Sequence, residues 1–215
     1  SATTTVAGVS LTGLVTGVTA GTSLITYTNN NGCKGNLTLT VAATAAITGT
    51  ATVCVGATTQ LTGAGTAAAT NPWLSASPAV ATVSNTGLVT GLSAGTSVIT
   101  YTNNGGCSAT RTVTVNARPT ITGNTTLCLS TNTTLVGSPT AATSNAWTST
   151  APSVVLVNGS GLINALAVGT STIRYTNTNG CFKDTVVTVV SSPLISLTSG
   201  GAAVTTVNSC IGSQT

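Results

Sequence analysis

Between residues 96 and 117 apolar and polar side chains alternate. In TSVITYT, Val98, Thr100 and Thr102 point one way and Ile99 and Tyr101 the other; in RTVTVNA, Val113 and Val115 oppose Thr112 and Thr114. A period of two residues belongs to strands that bury one face. Read the same way, residues 46–117 predict seven short strands: AITGTATVC, TTQLTGA, a strand around Trp73, AVATVS, LVTGLS, TSVITYTN and ATRTVTVNA. Turn residues separate them: VGA, the Asn71–Pro72 step, NTG at 85–87, SAG at 93–95 and NNGG at 103–106. Asn and Gly stand where tight turns need positive φ. Ala is plentiful, but β-branched residues and Gly interrupt every window in which a helix could form. Seven short strands with one Trp on the third predict an all-β, two-sheet sandwich.

The pattern recurs with a period of 74 residues. Tyr27, Tyr101 and Tyr175 keep that spacing, as do Gly13, Gly87 and Gly161, and Cys33, Cys107 and Cys181. Trp73 and Trp147 keep it too, with Cys54 and Cys128. The chain therefore divides into the C-terminal part of a repeat (1–43), two complete repeats (44–118 and 119–192), and the N-terminal part of a further one (193–215). In that last piece about eight extra residues, roughly SGGAAVTT, precede Cys210. Repeats of this size stack on their neighbours in an extended array.

The run WLSASPAVATVSNTGLVTGLSAGTSVITYT, residues 73–102, resembles the bacterial Ig-like group 2 (BIG2) repeat of intimin- and invasin-like adhesins and other bacterial surface proteins. The resemblance covers most of both complete repeats and the leading partial one. It drifts in the third copy, where Ile163, Asn164 and Ala165 replace Val, Thr and Gly. The cysteines in TVCVGATTQL and NNGGC are similar in style to the giant repetitive adhesins of type IX-secreting gliding bacteria, the SprB-like kind. The resemblance implies tandem Ig-like β-sandwiches forming a stalk or filament of a large extracellular or cell-surface adhesin. In such bacteria a triplet like Asp184-Thr185-Val186 resembles an O-glycosylation signal, which implies a glycan on Thr185. Read from the residues alone, the same triplet is a Lys183–Asp184 ion pair near a strand start.

Composition narrows the chemistry. The chain has 215 residues, 41% hydrophobic but only 3% charged and 3% aromatic. Its core must be mostly Val, Ile, Leu and Ala, and its surface Thr, Ser, Asn and Gly. With no His, no Glu and a single Asp, it lacks the groups for general acid–base catalysis, for a glycosidase carboxylate pair, or for a base beside a Ser nucleophile. We expect no enzyme and no cofactor. One carboxylate cannot furnish a calcium site, and cysteines at least 21 residues apart do not form a zinc motif. Lys34, Arg111, Arg118, Arg174 and Lys183 are scattered, unlike the clustered charge of a nucleic-acid reader. No run of 18 apolar residues spans a membrane. No basic stretch leads into an apolar run, which suggests an interior piece of a longer exported chain.

Two cysteines per repeat in an exported setting point to disulfides. One reading pairs them inside each repeat, Cys54–Cys107 and Cys128–Cys181. The topology of an Ig-like sandwich favours another. Cys54 precedes the second strand, near the C-terminal pole; Cys107 follows the hairpin between strands six and seven, at the N-terminal pole. About six residues of strand, roughly 20 Å, separate them, whereas a disulfide needs Cα atoms about 4.4–6.8 Å apart. The preferred pair is therefore Cys54–Cys181, between neighbouring repeats, with Cys33, Cys107, Cys128 and Cys210 partnered outside this chain. Trp73, Trp147, Tyr27, Tyr101 and Tyr175 are expected in the cores. The partners expected are neighbouring repeats, other copies of the chain, or surface glycans. The rival functions are a carbohydrate-binding accessory module of a secreted enzyme, which would need Trp73 and Trp147 exposed, and a self-assembling fibre subunit. An ice-binding face of Thr rows explains Thr38, Thr40, Thr112 and Thr114 less simply than solvent-facing strand positions do.

Overall fold

The computed structural model describes residues 1–192, 194–199 and 202–208, and its described residues form strands and turns without a helix. The chain divides into two compact units, Ser1–Ala117 and Arg118–Thr215. In the first unit, β1 (Ala7–Val9), β2 (Val15–Gly17), β3 (Gly21–Thr28) and β4 (Lys34–Val41) make two hairpins. They are followed by β5 (Ile47–Gly49), β6 (Thr52–Cys54), β7 (Thr58–Gly63), β8 (Trp73–Ser75), β9 (Ala81–Val83), β10 (Leu88–Gly91), β11 (Gly95–Thr102) and β12 (Ser108–Asn116). These eight strands build a sandwich from one sheet ordered β5-β7-β10-β9 and another ordered β6-β12-β11-β8.

The first expected strand is split. Its residues 47–49 pair antiparallel with β7, while 52–54 pair parallel with β12 in the opposite sheet. Gly49 makes the switch: its φ is +113°, and a Cβ there would collide with the backbone oxygen of Gln60. Alternation in β11 works as expected, with Ile99 fully buried and Val98 40% exposed. Between the sheets lie Val53, Leu61, Trp73, Ala81, Val89, Ile99, Tyr101, Val113 and Val115. Burying an aliphatic side chain of this size is worth about 1.5–3 kcal/mol, so a small core of them suffices to hold two short sheets together.

The second unit repeats the plan with β13 (Thr120–Thr122), β14 (Thr126–Cys128), β15 (Asn132–Thr134), β16 (Val136–Ser138), β17 (Trp147–Ser149), β18 (Val155–Val157), β19 (Leu162–Ala165), β20 (Gly169–Thr176) and β21 (Phe182–Val190). β14-β21-β20-β17 form one sheet; the other is divided into β13-β16 and β15-β19-β18. Its core centres on Leu135, Val155, Ile163, Ile173, Val187 and Val189. Beyond it β22 (Leu194–Ser199) and β23 (Ala202–Asn208) form an antiparallel hairpin with a register shift between Ile195 and Leu197. The corresponding β13 and β14 lie in different sheets. Cys210 lies outside the described residues.

Tyr27 corrects one expectation. Placed in the core by its register with Tyr101, it is 73% exposed, against 2% for Tyr101 and for Tyr175. Nothing in residues 1–43 corresponds to β5–β8, so the aromatic face that Trp73 supplies to Tyr101 has no counterpart there. Val15 is likewise 40% exposed where its equivalent Val89 is fully buried.

Candidate functional site

The aromatic pairs are structural. Trp73 sits directly opposite Tyr101 across β8 and β11, their ring centroids 4.7 Å apart and tilted 43°; Trp147 and Tyr175 are 4.7 Å apart at 46°. Each tyrosine lies over a glycine, because a Cβ at Gly63 or Gly137 would fall within its ring. The hydroxyls donate outward, Tyr101 to the Gly65 carbonyl at 3.1 Å and Tyr175 to that of Pro139 at 2.5 Å. Burial pushes the Tyr175 phenol above its ordinary pKa. With Trp73 6% and Trp147 8% exposed, neither indole offers a face on which a sugar ring could stack. A groove of about 240 Å³ beside Trp73 is lined also by Gln60, Asn85, Thr86 and Tyr101.

A serine pair, one half-buried and one buried, was missed in the sequence and ties the sheets together. The Ser75 hydroxyl is 2.8 Å from that of Ser97 and donates to the Ala81 carbonyl on the opposite sheet at 2.5 Å. Ser97 also accepts from the Ser77 amide at 3.1 Å. Ser149 and Ser171 repeat this with Val155 and Ala151. Every hydroxyl is used in holding strands, as buried polar groups require, and no base stands beside them.

The distinctive chemistry lies at the two poles of the repeat. At the leading pole the turn Asn103–Cys107 folds around one side chain. Asn103 is 3% exposed; its Oδ1 accepts from the amides of Gly105 at 3.1 Å and Cys107 at 3.0 Å. Its Nδ2 donates to the carbonyl of Ala43, the residue by which the chain leaves the preceding partial repeat, at 2.8 Å. Asn177, 1% exposed, accepts in the same way from Asn179 and Cys181, both at 3.0 Å. Asn29 accepts from Asn31 and Cys33 but remains exposed. Asparagine suits this place because its short amide closes a turn onto its own backbone while still offering a donor. The signal was in the sequence: an Asn stands four residues before the cysteine in all three copies.

At the trailing pole Cys54 ends β6 directly opposite Asn116, the last residue of β12. Cys107 stands one residue before β12 begins. The whole length of that strand separates them, about 30 Å at the usual rise per residue. Cys54, Cys128 and Cys181 are disulfide-bonded, whereas Cys33 and Cys107 are free thiols, so the expectation that Cys128 finds its partner outside this chain is corrected. The alternative bridge Cys54–Cys107 is thus not made, because the strand holds its ends apart. Cys128, opposite Val190, and Cys181, one residue before Phe182, stand at opposite ends of β21 in the same way.

The ion pair also differs from the reading of the sequence. Arg174 directly faces Asp184 across β20 and β21 and grips it through two bonds, Nε to Oδ1 at 2.7 Å and Nη2 to Oδ2 at 2.9 Å. Lys183, adjacent on the strand, points to the other face, so the expected Lys183–Asp184 pair gives way to Arg174–Asp184. The Arg174 hydrogen bonds hold the Asp184 carboxyl below its ordinary pKa. The Arg174 guanidinium also lies 3.8 Å from the centre of the Phe182 ring. Thr185, the candidate glycan site, is half-buried on β21 opposite Ile173. Among the described residues no three His, Cys, Asp or Glu side chains cluster to hold a metal, and no helix is long and apolar enough to cross a membrane.

Two sheets closed over an aliphatic core, with a Trp on the edge strand, β8 or β17, beside the long hairpin β11–β12 or β20–β21, define an Ig-like sandwich. Residues 40–115 match the family model of the bacterial Ig-like domain (group 2). Among solved structures, the chain is similar to the crystal structure of invasin, a bacterial integrin-binding protein, at 14% identity and TM-score 0.44, over 85% of this chain and 49% of that one. It is similar to the surface-layer protein SbsC at 18% identity and TM-score 0.31, over 88% of this chain and 38% of that one. The C-terminal 282-residue fragment of intimin, solved with the intimin-binding domain of its translocated receptor, is 14% identical with TM-score 0.36, over 78% of this chain and 56% of that one. No curated protein sequence matches the chain significantly.

Proposed function

We propose that this chain is a non-catalytic, load-bearing stretch of a large bacterial cell-surface or secreted adhesin, in which Ig-like repeats at 1–43, 44–118, 119–192 and 193–215 join head to tail to give reach. The observation that carries the reading is the bond from Asn103 to Ala43: a buried side chain of one repeat holds the chain leaving the repeat before it. A globular enzyme or a lone binding module has no use for a clamp at that place. Scarcity of catalytic side chains and the burial of both tryptophans support the reading against a hydrolase accessory module. Electron microscopy of chains carrying two, four and six complete repeats tests it. Contour length should rise by the same increment per repeat; particles that stay compact as copies are added would refute it.

A further inference from the structure

We propose that the outer face of the β14-β21-β20-β17 sheet docks against the same face of a second copy of this chain, aligned by Arg174 and Asp184.

The face follows from the register of the central hairpin. Asp184 shares its side of β21 with Phe182 and Val186, the alternate positions before and after it. Phe182 is 44% and Val186 55% exposed. Across on β20 they meet Thr176 and Thr172, and Arg174 stands between these, opposite Asp184. A cation, a carboxylate and two apolar side chains thus occupy one side of one hairpin, on a chain of which only 3% is charged. The corresponding positions 74 residues earlier are Thr100, Ser108, Thr110 and Thr112. The sheet of the first repeat has exposed apolar side chains of its own, Leu74 and Val98, but threonines where the charged pair stands.

The ion pair selects the occupant. Arg174 binds through Nε and Nη2, which leaves further guanidinium N–H donors unused by Asp184. Each Asp184 oxygen accepts one of these bonds and has room for about one more. Each group can therefore take a second partner of opposite charge without giving up its first. The Phe182 ring under the guanidinium holds it in place before a partner arrives. A uniformly acidic or basic partner would be repelled by one member of the pair as much as it is attracted by the other. A second copy meets both. A two-fold axis between β20 and β21, running along them, turns one sheet over the other and exchanges the two strands. The Arg174 of each copy then lies over the Asp184 of the other, because the two residues sit directly opposite each other. An axis across the strands would set arginine over arginine. Sheets packed face to face stand about 10 Å apart, with strand directions within about 30°, a gap that arginine and phenylalanine bridge from both sides. Opposite signs on one patch make it self-complementary, as a two-fold interface requires.

The four strands and the length of β21 bound the face at roughly 600 Å², below the ~800 Å² per partner of a standard interface. The contact is weak and reversible, and repeats meeting at it lie side by side and point the same way.

Sedimentation equilibrium of the full chain tests the docking, with Cys33 and Cys107 alkylated so that no thiol links two copies. At about 1 mM, where contacts this weak populate a dimer, we expect the average mass to rise toward that of two chains. Arg174→Asp and Asp184→Arg each gather like charges at the joint and should stay monomeric. Mixed in equal amounts, they restore opposite charges and should associate. Arg174→Thr combined with Asp184→Thr, the residues that the first repeat carries at these places, should weaken association at least about tenfold while the exposed site leaves the fold intact. A wild-type chain that stays monomeric, single variants that associate as the wild type does, or a mixture that stays monomeric overturns the proposal. If a charge-reversed variant does not fold, the double threonine variant decides: association equal to wild type places the contact on another face and overturns it.

Discussion

Asn103 stands 60 residues beyond Ala43 and donates its side-chain amide to that residue's carbonyl oxygen, at 2.8 Å. The same side chain closes its own turn through Oδ1, so one residue both shapes the leading pole and binds the chain arriving there. Asn103→Asp keeps the acceptor and removes the donor. We expect a loss of about 1–3 kcal/mol in urea unfolding, the range for a buried group deprived of its partner. Asn29→Asp, in the exposed equivalent turn, should change stability by no more than about 0.5 kcal/mol.

Gly63→Ala puts a methyl group into the ring of Tyr101. Strand backbone and tyrosine must both shift, and overpacking of this kind costs about 1–3 kcal/mol. The double variant with Tyr101→Ala should lose less than the two single effects combined. Additive losses in thermal unfolding would show that the two residues do not share the site.

The exposed Tyr27 leads to a constructive test. Ser1 holds the register of Ser75, so residues 44–74 appended ahead of Ser1 would supply the strands that 1–43 lack. We expect the ring of Tyr27, 73% exposed in this chain, to become protected from nitration and to take up a tilted contact with the added Trp. Unchanged nitration would mean that the register does not extend to the partial repeat.

Asp184 is the only carboxylate side chain, and there is no histidine. Arg174 holds its folded pKa below the unfolded value of about 4. Its contribution is therefore present above pH 4 and is lost as pH falls through the folded value. The pair is part-exposed, so the effect is small. The melting temperature should be nearly flat from pH 5 to 7 and dip only below 4, and Asp184→Asn should abolish the dip. A transition near pH 6 would contradict this account.

Strands, faces and period were legible because alternation and turn residues are local signals. Ile99 and Val98 fall on the faces their alternation assigns. The break at Gly49 was not legible, since a glycine within an apolar run reads equally as a strand residue until the carbonyl of Gln60 is seen to crowd it. Tyr27 misled because register shows what a residue resembles and leaves open whether its partners are present. The Arg174–Asp184 pair depends on cross-strand register, while the sequence displays only neighbours along the chain. Asn103 was visible as a recurring Asn before each cysteine, but its bond to Ala43 emerges only when the turn is folded against the linker.

Because the clamp is built from residues a fixed distance apart, it is indifferent to how many modules surround it. Excising residues 44–117 would bring Ala43 to the place of Ala117, and Asn177 would then follow it by the 60 residues that now separate Ala43 from Asn103. A gene for such a chain can gain or lose whole 74-residue periods by recombination and still encode the spacing this bond uses, so the number of periods becomes a heritable variable uncoupled from local folding.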